Sequence, residues 1–141
     1  MGGFLLDKIH HLARRTFAGK LREHGIRELN AAQGRIMFVL WRSGSMPIQD
    51  LSQATGLGKS TLTSMLDRLE EAGHIVRTPS RDDRRQTLIA ATPLSREHME
   101  RYIQVSRDMN AVFYKGFTSH EMDAFEMYLQ RILVNLSESG R

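Results

Sequence analysis

The middle of the chain carries a dense set of charged side chains: Arg77, Arg81, Asp82, Asp83, Arg84 and Arg85. The guanidinium group is planar and always charged, and it suits forked contacts with phosphate and guanine. An arginine on a loop can also enter the narrow, negative minor groove of DNA. We therefore interpret Arg81, Arg84 and Arg85 as DNA-contacting residues, with Asp83 pairing to an arginine and holding the loop in shape. A charged turn that only keeps a hairpin edge soluble is the alternative.

A second polar set follows Gly58 on a segment with helical spacing. Hydroxyl and backbone N–H groups in the first turn of a helix suit phosphate, because that end carries unpaired donors and a positive dipole. Short side chains let such a helix approach base edges, and a following arginine can reach phosphate or guanine. The predicted DNA contacts of this set are Lys59, Ser60, Thr61, Thr63, Ser64 and Arg68. A solvated face of a well-capped helix is the alternative.

The elements that would position both sets follow from apolar spacing and turn residues. Leu62, Met65, Leu66 and Leu69 repeat at helical spacing and predict a helix over 59–72. Pro47 opens a short helix over 48–55, and Gly56 supplies the turn between the two. Two short strands are expected at 75–78 and 87–90, with the arginines on the hairpin between them. This order is typical of a winged helix-turn-helix, whose second helix enters the major groove.

Long amphipathic helices flank this centre on both sides. Helix-capping patterns begin at Asn30 and at Thr118, and Thr92 with Pro93 opens a helix expected to run to about Lys115. The apolar stripes exceed what the centre can cover, so a second copy of the chain is expected to bury them. We expect a fold that is mainly α with a small β-wing, in one domain over 1–141. The winged-helix core covers about 30–92, and the dimerisation helices about 4–25 and 93–137.

Three segments together resemble the multiple-antibiotic-resistance regulator (MarR) family: 57–63 (LGKSTLT), 66–77 (LDRLEEAGHIVR) and Asp83-Arg84-Arg85. No single segment is specific, but their combination is, and the flanking helices extend the match over nearly the whole chain. The resemblance implies a winged-helix homodimer on double-stranded DNA with a pseudo-palindromic operator, and it assigns the Asp83 cluster to the wing tip. It further implies a repressor released by a small molecule. Ser64 and Ser80 depart from the residues common in the family, arginine and aspartate.

The expected function is therefore sequence-specific DNA-binding transcriptional regulation, as a repressor whose DNA affinity a small-molecule ligand modulates. The alternative is a winged helix used for protein–protein contact without DNA binding, against which the arginine-rich tip argues. A small aromatic or apolar effector would fit among aromatic and methionine side chains, with an arginine for an acid group. The expected pocket residues are Arg14, Phe17, Met37, Trp41, Met109 and Phe113. Core packing is the alternative for most of them.

Several classes are excluded or disfavoured by what the sequence lacks. It has no cysteine, so a disulfide, a thiolate nucleophile and a thiol redox switch are impossible. It has no enzyme motif, and none of its six histidines stand four residues apart, so we expect no catalysis, no cofactor and no metal site. No apolar run approaches 18 residues and no secretory signal is evident. We expect no membrane partner and a cytoplasmic location.

Overall fold

The computed structural model describes residues 1–140. Its helices are α1 (Gly2–Glu23), α2 (Ala31–Ser43), α3 (Ile48–Thr55), α4 (Lys59–Glu71), α5 (Pro93–Arg96), α6 (Met99–Phe113) and α7 (Ser119–Ser139). Its strands are β1 (Met46–Pro47), β2 (Ile75–Pro79) and β3 (Thr87–Ala91). The chain forms two compact units, Met1–Arg107 and Asp108–Arg141. The predicted fold, mainly α with a small β-wing, is confirmed.

Two helices begin where the sequence predicts reciprocal capping. The Asn30 side chain accepts from the Gln33 backbone N–H at 2.8 Å, and the Gln33 side chain accepts from the Asn30 N–H at 3.0 Å. Thr118 and Glu121 make the same pair of bonds at the start of α7, at 3.1 and 2.9 Å. Such caps satisfy backbone donors that a helix start leaves unpaired, and each contributes about 1 kcal/mol. They set the first residues of α2 and α7.

The prediction of one continuous helix from Pro93 to Lys115 is wrong. The helix breaks after Arg96, and α6 begins at Met99. The amides of Glu97 and His98 bond to carbonyls three residues back, at 3.3 and 3.1 Å, so the α-helical pattern is interrupted there. The apolar spacing continues through this turn, which is why the sequence gives no sign of the break.

The sheet has three antiparallel strands in the order β1-β3-β2. The two predicted strands are confirmed, each one residue longer than expected, with Ile75 opposite Ala91 and Pro79 opposite Thr87. The sequence did not predict β1, a two-residue strand in which Met46 pairs with Ile89. It pairs the segment before α3 with the central strand β3, so the sheet is attached directly to the helix-turn-helix.

The core of the first unit is formed mainly by one face of each of its helices. Leu62, Leu66 and Leu69 of α4 are fully buried, as their spacing predicted, whereas Met65 is only half-buried. They join one cluster with buried residues of α2 and of the sheet, including Ile36, Met37, Leu40, Ile75 and Ile89. Burying a side chain of this size stabilises a protein by about 1.5–3 kcal/mol. The polar face of α4 therefore has to point outward.

In the first unit, Tyr102 of α6 is packed among three aromatic rings. The ring centroids of Phe17, Phe38 and Trp41 lie 5.7, 5.8 and 5.8 Å from that of Tyr102. Burial raises the pKa of Tyr102 to about 12. On its remaining side the ring meets Gly34 of α2, where an added Cβ would lie 2.5 Å from the ring carbon Cε2. Only glycine fits at position 34 while the ring keeps its place.

Both terminal helices expose apolar side chains. On α1, Phe4 is 80% and Leu5 55% exposed. On α7, Leu133 is 57% and Leu136 66% exposed, although the stripe to which they belong has the spacing of a buried face. Among the described residues, none of the helices is both long and apolar enough to cross a membrane.

We predict that Gly34→Ala destabilises the protein. The new methyl group clashes with a ring that its neighbours hold in place, which costs about 1–3 kcal/mol and outweighs the gain of about 1 kcal/mol in helix propensity. Gly19→Ala is the matched control, since its Cβ would meet only the flexible end of Arg22 at 3.8 Å. Urea unfolding should show a loss for the first variant and no loss for the second. Equal or greater stability of Gly34→Ala would contradict the packing described.

Candidate nucleic-acid interface

The turn between α3 and α4 is held by side-chain hydroxyl groups. Ser52 Oγ donates to the Leu57 carbonyl at 2.7 Å, and Thr55 Oγ1 donates to the Leu51 carbonyl at 2.7 Å. Thr55 Oγ1 also accepts from the Leu57 N–H at 3.3 Å. Gly56 takes the left-handed conformation, with φ of 71°, that ends α3. These bonds fix the direction in which α4 leaves the turn.

The six DNA contacts predicted on α4 all lie on its exposed face: Lys59, Ser60, Thr61, Thr63, Ser64 and Arg68. The helix starts after Gly58, which has no side chain to cap the first-turn N–H groups, so those donors can serve an outside acceptor such as phosphate. Thr63 Oγ1 donates to the Lys59 carbonyl at 2.8 Å. Its proton is therefore used within the helix, and toward a base Thr63 offers an acceptor oxygen and a methyl group.

Arg77 does not belong to the arginines of the hairpin tip. It lies on β2, and its Nη1 and Nη2 donate to Glu70 Oε1 and Asp67 Oδ1 of α4, each at 2.9 Å. It therefore joins the side of α4 to the hairpin through two ion pairs. Sequence reasoning missed this role, although Asp67 and Glu70 at helical spacing, followed by an arginine on the next strand, are a signal that could have revealed it.

The wing consists of β2, β3 and the tip 80–86, and the tip is held by short-range hydrogen bonds. Ser80 is buried, and its Oγ accepts from the backbone N–H of Asp82 at 3.3 Å and of Asp83 at 3.4 Å. Asp83 Oδ1 accepts from the Arg85 N–H at 3.0 Å and lies 3.5 Å from Arg85 Nε. The structure thus brings the predicted shape-holding aspartate to an arginine. Arg81, Arg84 and Arg85 are all exposed.

A cavity of about 250 Å³ lies beside α2 and α6 and is lined by Phe38, Trp41, Arg42, Met99 and Ile103. Trp41 is the one predicted ligand-contacting residue among these. The other lining residues were missed, although their i, i+3, i+4 spacing on α2 and i, i+4 spacing on α6 place each group on one helix face.

The remaining ligand-contacting predictions lie elsewhere. Phe17 packs on Tyr102, Met37 is fully buried in the core, and Arg14 is exposed on α1. Met109 and Phe113 belong to the second unit, where Phe113 packs against Tyr114 and Phe125. Their contact with a ligand stays a prediction.

Two histidines of the first unit, His74 just after the C-terminal end of α4 and His98 just before α6, have their rings in contact. The ring planes of His74 and His98 lie at 72° to each other, with centroids 5.5 Å apart, and their Nδ1 atoms are buried without a hydrogen-bond partner in the part of the chain described. Burial lowers the pKa of His74 first of all, and His98 lowers it further, while Glu28 acts in the opposite direction. The folded protein therefore favours neutral His74.

A model of the MarR family matches residues 29–87, which contain α2, the helix-turn-helix and the wing up to the start of β3. Over these residues the chain is similar to the MarR family. The match covers both polar sets that the sequence singled out, the exposed face of α4 and the wing tip. Arg77 lies within the matched segment and joins β2 to α4 through its two ion pairs.

One curated relative is the HTH-type transcriptional repressor IacR of Pseudomonas putida, 26% identical over 109 residues, or 77% of this chain. The chain spans 65% of that relative's length, less than two thirds. The solved structure of Bordetella bronchiseptica BpsR, whose DNA binding is regulated by 6-hydroxynicotinic acid, superposes with a TM-score of 0.83 at 21% identity, covering 94% of this chain and 92% of BpsR. A mutant E. coli MarR complexed with operator DNA gives 0.81 at 24%, covering 93% and 92%. These likenesses show the fold.

We predict that acid destabilises the protein through His74. The unfolded chain protonates His74 near pH 6.5, whereas the folded protein binds that proton less readily, so the free energy of unfolding falls as pH drops below about 6.5. His74→Gln should show a smaller fall between pH 7.5 and 5.5 than the wild type. His10→Gln, at an exposed position of α1, is the control and should keep the wild-type slope. Identical slopes for all three proteins would exclude this role of His74.

Proposed function

We propose that this protein is a homodimeric, sequence-specific DNA-binding transcriptional regulator, acting as a repressor whose DNA affinity a small molecule modulates. One observation carries the proposal: Arg77 of β2 pairs with Asp67 and Glu70 of α4, which ties the strand that leads to the arginine-rich tip to the side of the exposed polar helix. The major groove is about 12 Å wide and admits a helix, with the wing free to reach the adjacent minor groove. The names of the relatives support the same function.

The two parts of this surface divide the recognition of DNA. Thr63 and Ser64 lie one and two residues beyond the first turn of α4, and both are short enough to let the helix approach base edges. Arg68, one turn further on, can reach phosphate or guanine. Arg84 and Arg85 at the wing tip supply charge and read groove shape, because their exposed position allows contact with many sequences.

A dimer supplies the second copy of this surface. The exposed apolar side chains of α1 and of α7, among them Phe4 and Leu136, are the faces that a second chain would cover. Two recognition helices about 34 Å apart then meet successive major grooves on one side of a pseudo-palindromic operator. A regulator of this kind acts where the DNA is, so the proposal includes a cytoplasmic location.

The effector belongs to the cavity beside α2 and α6. Its walls are aromatic and aliphatic, and the guanidinium of Arg42 at its edge can pair with an acid group. A volume of about 250 Å³ suits a molecule built around a single ring. By linkage, an effector that weakens DNA binding must bind less tightly to the DNA-bound dimer.

Selection of bound fragments from random DNA tests the proposal as a whole. We expect recovered sequences to share two inverted half-sites with centres about 10 base pairs apart, because a two-fold symmetric dimer reads two major grooves. Recovery of single, unpaired half-sites would contradict the dimer. If no DNA of any sequence binds at low salt, the surface serves protein–protein contact instead.

We predict that substitutions in the wing and in α4 affect binding differently. Arg84→Ala should weaken binding to all sequences alike and should reduce the salt slope by about one unit, because one phosphate contact and its released counterion are lost. Ser64→Ala should leave the slope unchanged and shift preference at one base pair by roughly 1–3 kcal/mol. Salt titrations on several operators measure both effects. Wild-type binding by Arg84→Ala at every salt concentration would remove the wing from the interface.

A further inference from the structure

The short helix α5 and its N-cap residue Thr92 link the cavity to the end of α4 through a series of hydrogen bonds. Trp41 Nε1 donates to Ser95 Oγ at 3.2 Å, and Ser95 Oγ donates to the Thr92 carbonyl at 2.7 Å. Thr92 Oγ1 in turn donates to the Gly73 carbonyl at 2.6 Å, and the Thr92 N–H donates to the His74 carbonyl at 3.0 Å. The indole of Trp41 is therefore connected to the residues that close α4.

Each hydroxyl proton in this series is used once, which gives the series a fixed direction. Ser95 is fully buried; its proton goes to Thr92, and its oxygen is left to accept from Trp41. The proton of Thr92 goes to Gly73, and its oxygen accepts from the Ser95 N–H at 3.3 Å. A buried hydroxyl that loses a partner is costly, so moving the indole disturbs the bonds that follow it.

The far end of the series lies where α4 stops. The amides of Gly73 and His74 bond to the carbonyls of Glu70 and Leu69 at 3.0 and 2.8 Å and close the last turn. Gly73 takes a left-handed conformation with φ of 84°, and the Leu94 side chain of α5 lies against it, 3.4 Å from where a Cβ would be. The conformation of this turn determines how α4 passes into β2, the first strand of the wing.

We infer that α5 is a latch that reports occupation of the cavity to the C-terminal end of the recognition helix. A molecule in the cavity contacts Trp41 and shifts its indole, so that Ser95 Oγ loses the Trp41 N–H donor. The hydrogen bond from Thr92 Oγ1 to the Gly73 carbonyl then weakens. This inference rests on the proposed function, because the latch regulates the same DNA-binding surface. It assigns to Trp41, Ser95 and Thr92 a positioning role, with no contact to DNA.

Hydrogen exchange tests the latch without DNA or a ligand. Trp41→Phe keeps a ring in the cavity wall and removes the N–H donor, and Ser95→Ala removes the next member. Both should speed amide exchange at Gly73 and His74 by roughly three- to tenfold, the effect of losing one hydrogen bond. The amides of Leu62 and Leu66 inside α4 serve as internal controls and should change less. Exchange at Gly73 and His74 that is unchanged, or that rises equally at all four amides, overturns the latch.

A cavity-filling variant provides a second test of the latch. Ile103→Trp places a bulky ring in the cavity as a built-in occupant and should speed exchange at Gly73 and His74 as Trp41→Phe does. In the Trp41→Phe background it should add nothing, because the series is already broken. Independent, additive effects, or no effect of Ile103→Trp alone, contradict the inference. Absence of DNA binding by the wild type would refute the proposed function and leave the exchange result standing.

Discussion

The two ion pairs of Arg77 are the interaction on which the proposed interface depends. They join β2 of the wing to the side of α4, in addition to the turn at Gly73 that connects the two in the chain. Each pair is partly exposed and contributes only about 0.2–1 kcal/mol, so their importance lies in geometry rather than in global stability. One guanidinium group that contacts residues three apart on a helix fixes both the tilt and the rotation of the strand beside it.

Helix α4 is held at three places, by hydroxyl hydrogen bonds near both ends and by ion pairs on its side. Ser52 and Thr55 fix its entry from the helix-turn-helix, Arg77 fixes its side, and Thr92 fixes its end. Its buried leucines attach it to the core and turn its polar side chains toward solvent. The latch of α5 acts at the last of the three places.

Much of this arrangement could be predicted from the sequence because its signals are local. The bounds of α3, the start of α4 and both capping boxes follow from residues within one turn of each boundary. The exposed positions of the six α4 residues and of the tip arginines follow from apolar spacing and from the hairpin. Comparison with the family has a limit at Ser80, which stands where aspartate is common. Its hydroxyl oxygen still accepts hydrogen bonds from the backbone N–H groups of the tip.

Features that depend on distant contacts were missed. The strand β1 is two residues long and exists because Met46 finds Ile89 across the sheet. The break between α5 and α6 is marked by no change in apolar spacing, and the partly buried hydrogen bond from Trp41 to Ser95 spans 54 residues. The ion pairs of Arg77 were missed for the same reason, because proximity in sequence grouped it with the tip arginines.

The most direct test of this account compares Arg77→Ala with the wild type on operator DNA and on random DNA. If Arg77 holds wing and helix as one surface, its loss should lower the ratio of operator to random affinity by roughly fivefold, or about 1 kcal/mol, while binding to random DNA is largely kept. Arg84→Ala, with the same loss of charge, should weaken both and keep the ratio. An Arg77→Ala variant with the wild-type ratio would contradict the account.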